Sequence, residues 1–112
     1  MRILLAGLLL LANSPPARAH AILTDSTPTP DATLTPGPQR VVLHYNSRID
    51  ASRSRITLLG SPPTNLPIVP TGAAELTVTA VLTPGKQTLR WQVLAVDGHV
   101  TRGDLSFVVT AP

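Results

Sequence analysis

The sequence predicts an all-β fold, an antiparallel sandwich of about seven short strands. Three observations predict it. Twelve prolines and seven glycines in 112 residues punctuate the chain at short intervals. No stretch between these breakers beyond residue 19 sustains a helical period. The runs between them alternate apolar and polar residues with the period of two that belongs to half-buried strands.

The elements follow in order. Ala21 to Thr24 reads as a first strand. Arg40 to Asn46 sets Val41, Leu43 and Tyr45 on one face, and Arg55 to Leu59 pairs Ile56 with Leu58. Leu66 to Val69 is short and flanked by Pro67 and Pro70, which suits an edge strand. Glu75 to Leu82 alternates through Leu76, Val78 and Ala80. Thr88 to Val96 aligns Leu89, Trp91, Val93 and Ala95, and Leu105 to Val109 aligns Leu105, Phe107 and Val109. One open sheet of seven such strands would leave an apolar face in water, so two layers are expected. Tyr45, Trp91 and Phe107 read as core. The Pro/Thr-rich stretch from Ser61 to Ala74 reads as a loop around a marginal strand, and Arg48, Arg53 and Arg55 as a solvated loop.

The first nineteen residues carry a different signal. Arg2 precedes an apolar run from Ile3 to Ala12, too short for a stable membrane anchor. Asn13 to Pro16 breaks that run, and Ala17-Arg18-Ala19 supplies a small-x-small cleavage site. Residues 1–19 therefore read as a secretory signal peptide, and residues 20–112 as the functional domain. Cleavage after Ala19 makes His20 the first residue of an exported protein.

The leader also distorts the charge. Of nine basic residues, Arg2 and Arg18 lie within it, leaving seven basic against six acidic side chains in the processed chain. With three aromatics and no basic run, a nucleic-acid surface is unsupported. The absence of cysteine excludes thiolate metal sites. The only methionine, Met1, leaves with the leader, which removes a thioether site for Cu(I).

Two features carry chemistry. An N-terminal histidine offers its α-amine and its imidazole Nδ1 to one ion, closing a six-membered chelate ring. An α-amine loses its proton near pH ~8, so a metal displaces it around neutrality. The second feature is Asp97-Gly98-His99. Residues two apart on an extended segment project to one side, so a carboxylate and an imidazole converge. Asp97 could ligate directly or orient His99. Asp-Gly is equally a hairpin-turn dipeptide, which leaves a plain turn as an alternative. An amine, two imidazoles and an oxygen together suit Cu(II) better than calcium or magnesium. His44 lies between Leu43 and Tyr45 and so faces away from the core, outside this set. Hydrolase and phosphate-binding motifs are absent: there is no G-x-S-x-G elbow, no Gly-rich phosphate loop and no paired carboxylates.

These residues resemble the CopC-type periplasmic copper-resistance proteins. The opening HAILTDSTPTPDATL is similar to that family's histidine-first segment and turn. VVLHYNSRID is similar to its first long strand, and LTPGKQTLRWQVLAVDGHVTRGDLSFVV to its C-terminal hairpin with a W-x-V-x-x-x-DGH-x-x-x-G run. The resemblance implies an immunoglobulin-like Greek-key sandwich that holds one Cu(II) ion on His20, Asp97 and His99. It also implies a role in copper resistance, homeostasis or delivery to an inner-membrane copper importer of the CopD type. Ser47-Arg48 stands where many relatives carry an acidic residue and a proline. Two other classes compete: a metal-free interaction module on the same sandwich, and a copper oxidase.

Overall fold

The computed structural model describes residues 20–112; the leader assigned to residues 1–19 lies outside the described residues. Nine strands form two facing sheets, and no helix occurs among the described residues. The strands are β1 (Leu23–Thr27), β2 (Thr33–Leu34), β3 (Gly37–Tyr45), β4 (Ile49–Leu58), β5 (Thr64–Leu66), β6 (Val69–Gly72), β7 (Glu75–Leu82), β8 (Gly85–Ala95) and β9 (Val100–Val109). One sheet runs β1-β3-β7-β6, and the other β2-β9-β8-β4-β5. The all-β sandwich expected from the period-two runs is present.

The inward faces carry the alternating apolar residues. Val41 and Leu43 of β3, Leu76, Val78 and Ala80 of β7, Leu89, Trp91 and Val93 of β8, and Leu105 and Phe107 of β9 are all buried. Ile56 of β4 joins them and is fully enclosed. Burying such side chains contributes roughly 1.5–3 kcal/mol each, the main stabilising term in a domain without disulfides. Tyr45 and Trp91 meet edge-to-face across the two sheets with ring centroids 5.4 Å apart. Burial pushes the Tyr45 phenol well above its ordinary value, so it stays neutral.

The strand count exceeds the expected seven for three local reasons. Thr33–Leu34 is too short for a periodic signal, yet it pairs in parallel with Val108 and Val109 of β9, the one parallel pairing in the register. The single edge strand expected over Leu66 to Val69 is two strands in different sheets: β5 pairs β4, and β6 pairs β7. Pro67 lies between them, where the chain crosses from one sheet to the other. The region read as a solvated arginine loop is largely strand. Arg53 and Arg55 belong to β4, whose pairing with β8 breaks between Asp50 and Arg55. That irregularity breaks the alternation on which the reading depended.

The β8–β9 hairpin carries ten paired positions and forms the spine of its sheet. Within it Trp91 lies opposite Gly103. A Cβ at Gly103 would sit 2.5 Å from Trp91 Cζ2 and 2.9 Å from Cε2. The glycine at this point of the W…DGH…G run is therefore needed so that the indole can lie against the β9 backbone. Gly103→Ala should lower stability by about 1–3 kcal/mol, the usual cost of overpacking a filled core. Urea unfolding followed by Trp91 fluorescence checks this; an unchanged midpoint would contradict it.

Candidate metal centre

His20, Asp97 and His99 meet at one end of the sandwich. Each offers a ligand atom, and these atoms all lie within 4.8 Å of one another. It is the only such group of histidine, aspartate and glutamate among the described residues. The His20 and His99 rings are perpendicular, with centroids 4.5 Å apart. Metal–nitrogen bonds of about 2 Å need ligand atoms some 3–4 Å apart, so a small inward movement of exposed side chains would close the set on an ion.

The position of Asp97 and His99 follows from the turn between β8 and β9. The Gly98 amide donates to the Ala95 carbonyl at 2.9 Å, and the Ala95 amide to the His99 carbonyl at 2.9 Å. Gly98 sits at φ +94°, a left-handed conformation that glycine adopts at little cost. The two side chains therefore converge through a tight turn between β8 and β9, not through an extended segment. Both readings of Asp-Gly-His hold together: it is a hairpin turn, and the turn brings the carboxylate to the imidazole. Asp97 Oδ1 accepts the His99 amide at 3.1 Å, and Oδ2 lies 2.7 Å from His99 Nδ1. Those hydrogen bonds, the backbone one first, hold the Asp97 carboxyl below its ordinary range, with a smaller contribution from the charge of His20.

His20 is placed by the residues that follow it. Ala21 is fully buried, and its carbonyl accepts the Thr101 hydroxyl at 2.6 Å. The Ile22 amide donates to Asn46 Oδ1 at 2.8 Å, while the Ile22 carbonyl accepts the Asn46 amide at 3.1 Å. The segment is thus tied to β9 on one side and to the end of β3 on the other. This explains why β1 begins at Leu23 and not at Ala21: the first two residues bond to a side chain and a turn instead of a strand ladder. Neither Thr101 nor Asn46 stood out in the sequence. A polar residue at a strand end gives no periodic signal, and the bonds they make join residues 80 and 24 positions apart.

His44 is not part of this group. It lies on the outer face of the other sheet, paired with Glu75 at 3.1 Å. Tyr45, Trp91 and Phe107 are in the core as expected.

Comparison with known proteins places this architecture. A family model described as the CopC domain matches residues 23–110. The chain belongs to the CopC family. A curated relative, Protein YobA of Escherichia coli K12, is 30% identical over 103 residues, covering 86% of this chain and 83% of YobA. The crystal structure of CopC from Methylosinus trichosporium OB3b superimposes with a TM-score of 0.70 at 25% identity, over 82% of this chain and 95% of that one. PcoC from Escherichia coli, a methionine-rich copper resistance protein, shares the fold with a TM-score of 0.64 at 20% identity, over 82% of this chain and all of its own. The match to a methionine-rich protein contrasts with this CopC member, whose sole methionine is Met1.

The ties on Ile22 generate a direct expectation. Asn46→Ala removes the acceptor of the Ile22 amide, a bond worth about 1 kcal/mol. Hydrogen exchange of that amide should quicken about fivefold, while the amide of Val93 in mid-β8 stays protected. Unchanged exchange at Ile22 would show that Asn46 does not hold the segment.

Proposed function

We propose that the processed chain is a periplasmic Cu(II)-binding protein holding one ion at the His20 end of the sandwich. It serves copper resistance, homeostasis or delivery to an inner-membrane importer of the CopD type. The observation that carries this reading is the convergence of His20, Asp97 and His99 from opposite ends of the chain.

The donor chemistry supports copper. In the full-length chain the His20 nitrogen belongs to a peptide bond. Removal of residues 1–19 turns it into an amine, and His20 then supplies two nitrogens from one residue. Asp97 engages His99 Nδ1, which leaves Nε2 of His99 as the atom free to face a metal. A carboxylate behind a ligating imidazole fixes the ring and raises its basicity. Three nitrogens with no thiolate or thioether favour Cu(II) over Cu(I), calcium or magnesium. Asp97 thus acts by orienting His99, and one of its oxygens lies within 4.8 Å of the ligand atoms of both histidines.

Binding, not turnover, is the assigned activity. The family to which the chain belongs is not an enzyme family. The three aromatic side chains lie in the core, so none of them forms a platform for substrate beside His20. A purely structural interaction module would have no need of two imidazoles and a carboxylate gathered at one end.

Titration of Cu(II) into the protein purified after export should give a 1:1 complex with an axial, nitrogen-rich EPR spectrum and quenched Trp91 fluorescence. His99→Ala should weaken binding by about two orders of magnitude or more, and Asp97→Asn by about 10- to 100-fold. His44→Ala should leave affinity unchanged. Equal losses for the two histidine variants would overturn the site assignment.

A further inference from the structure

We propose that the outer face of the β2-β9-β8-β4-β5 sheet docks the protein on an anionic lipid surface. The register defines this face. Arg55 of β4, Gln92 of β8 and Arg102 of β9 pair side by side in one row. The neighbouring row, Ile56–Trp91–Gly103, is the one that turns inward to the core, so Arg55, Gln92 and Arg102 point outward. The next outward row is Thr57–Arg90–Asp104, and Lys86 faces out opposite Val108 further along.

Charge on this face is unbalanced. Arg90 is matched by Asp104 through two hydrogen bonds of 2.9 and 3.1 Å, and Arg53 approaches Asp50 at 3.9 Å. Arg55, Lys86 and Arg102 are exposed, and none of them forms an ion pair among the described residues; Asp104, two residues from Arg102, is engaged by Arg90. Adjacent strands lie about 4.8 Å apart, so Arg55 and Arg102 are held only about 10 Å apart across Gln92, with no carboxylate in their row. The opposite sheet has the reverse bias: its outer face carries the carboxylates Asp25 and Glu75, the latter paired with His44, against the single cation Arg40. The sandwich is therefore polarised from face to face although its net charge is small.

The shape of the face selects the occupant. It is a broad, open sheet surface with dispersed cations. Its exposed apolar residues, Val100 and Val108, stand far apart on β9. A tight protein interface is organised around buried aromatic anchors, and the three aromatics lie in the core. A diffuse anionic surface needs no such anchor: it attracts each nearby Lys or Arg separately. The planar guanidinium also matches phosphate oxygens with two parallel hydrogen bonds. Strands β8 and β9 then lie along the surface, and the His20–Asp97–His99 end faces sideways, open to a neighbour in the same membrane. Docking requires no copper.

The test is co-sedimentation of the protein purified after export, without added copper, with vesicles. One set contains phosphatidylglycerol and phosphatidylcholine in equal parts, the other phosphatidylcholine alone. Binding to the anionic vesicles only, lost in 0.5 M NaCl, is the expected result. The double variant Arg55→Gln/Arg102→Gln should lower the partition coefficient at least tenfold, whereas Arg40→Gln on the opposite face should leave it unchanged. Matching circular dichroism and unfolding midpoints show that both variants keep the fold. Equal binding to both vesicle types, or an equal loss from Arg40→Gln, overturns the proposal. So does binding to poly-glutamate without any to vesicles, which would assign the face to an acidic protein.

Discussion

The hydrogen bond from the Thr101 hydroxyl to the Ala21 carbonyl joins the two ends of this molecule. Ala21 is sealed in the core, and the residue after it is held by the Asn46 side chain and backbone. The path of the chain at residues 21 and 22 is therefore fixed. One residue upstream of a fully buried alanine, His20 has to emerge beside the β8–β9 turn. Everything assigned to the metal centre depends on that constraint. Two imidazoles on free loops would lose much rotational freedom on meeting an ion; here the fold has already brought them to a centroid separation of 4.5 Å.

The opposite wall of the site is equally constrained. The turn that carries Asp97 and His99 is closed by two backbone hydrogen bonds at Ala95 and needs the left-handed glycine at position 98. Below it, Trp91 packs on Gly103 and against Tyr45, which couples the hairpin to the facing sheet. Rigid strands thus support an exposed, polar end. The core provides stability and the turn presents Asp97 and His99, and the two meet within a few residues along β8. Under the proposed function, such a separation would let the exposed end accept and release an ion without disturbing the packing beneath it.

Much of this was legible in the residues. The alternation in β3, β7 and β8 marked their buried faces correctly because each strand covers one core and faces water on its other side. β7 was bounded to the residue, since Ala74 and Thr83 lie outside its ladder. The alternation failed where geometry breaks the period: in β4, where the pairing is interrupted, and at Pro67, where one expected strand proved to be two. His20, Asp97 and His99 could be named from residue type and position, but their meeting could not. That required Thr101 and Asn46, whose partners lie 80 and 24 positions away in the chain. The row of arginines on the outer face was hidden for a similar reason: Arg55 and Arg102 become neighbours only through the register of β4, β8 and β9.

The most direct measurement compares the Cu(II) affinity of the protein beginning at His20 with that of the same protein carrying one additional glycine ahead of it. The fold, both imidazoles and Asp97 are common to the two; only the position of the free amine differs. If His20 binds copper through its amine and ring together, the extended protein should bind at least a hundredfold more weakly and lose the original EPR parameters. Equal affinity and an unchanged spectrum would contradict the account, because the terminal amine would then be no ligand at all.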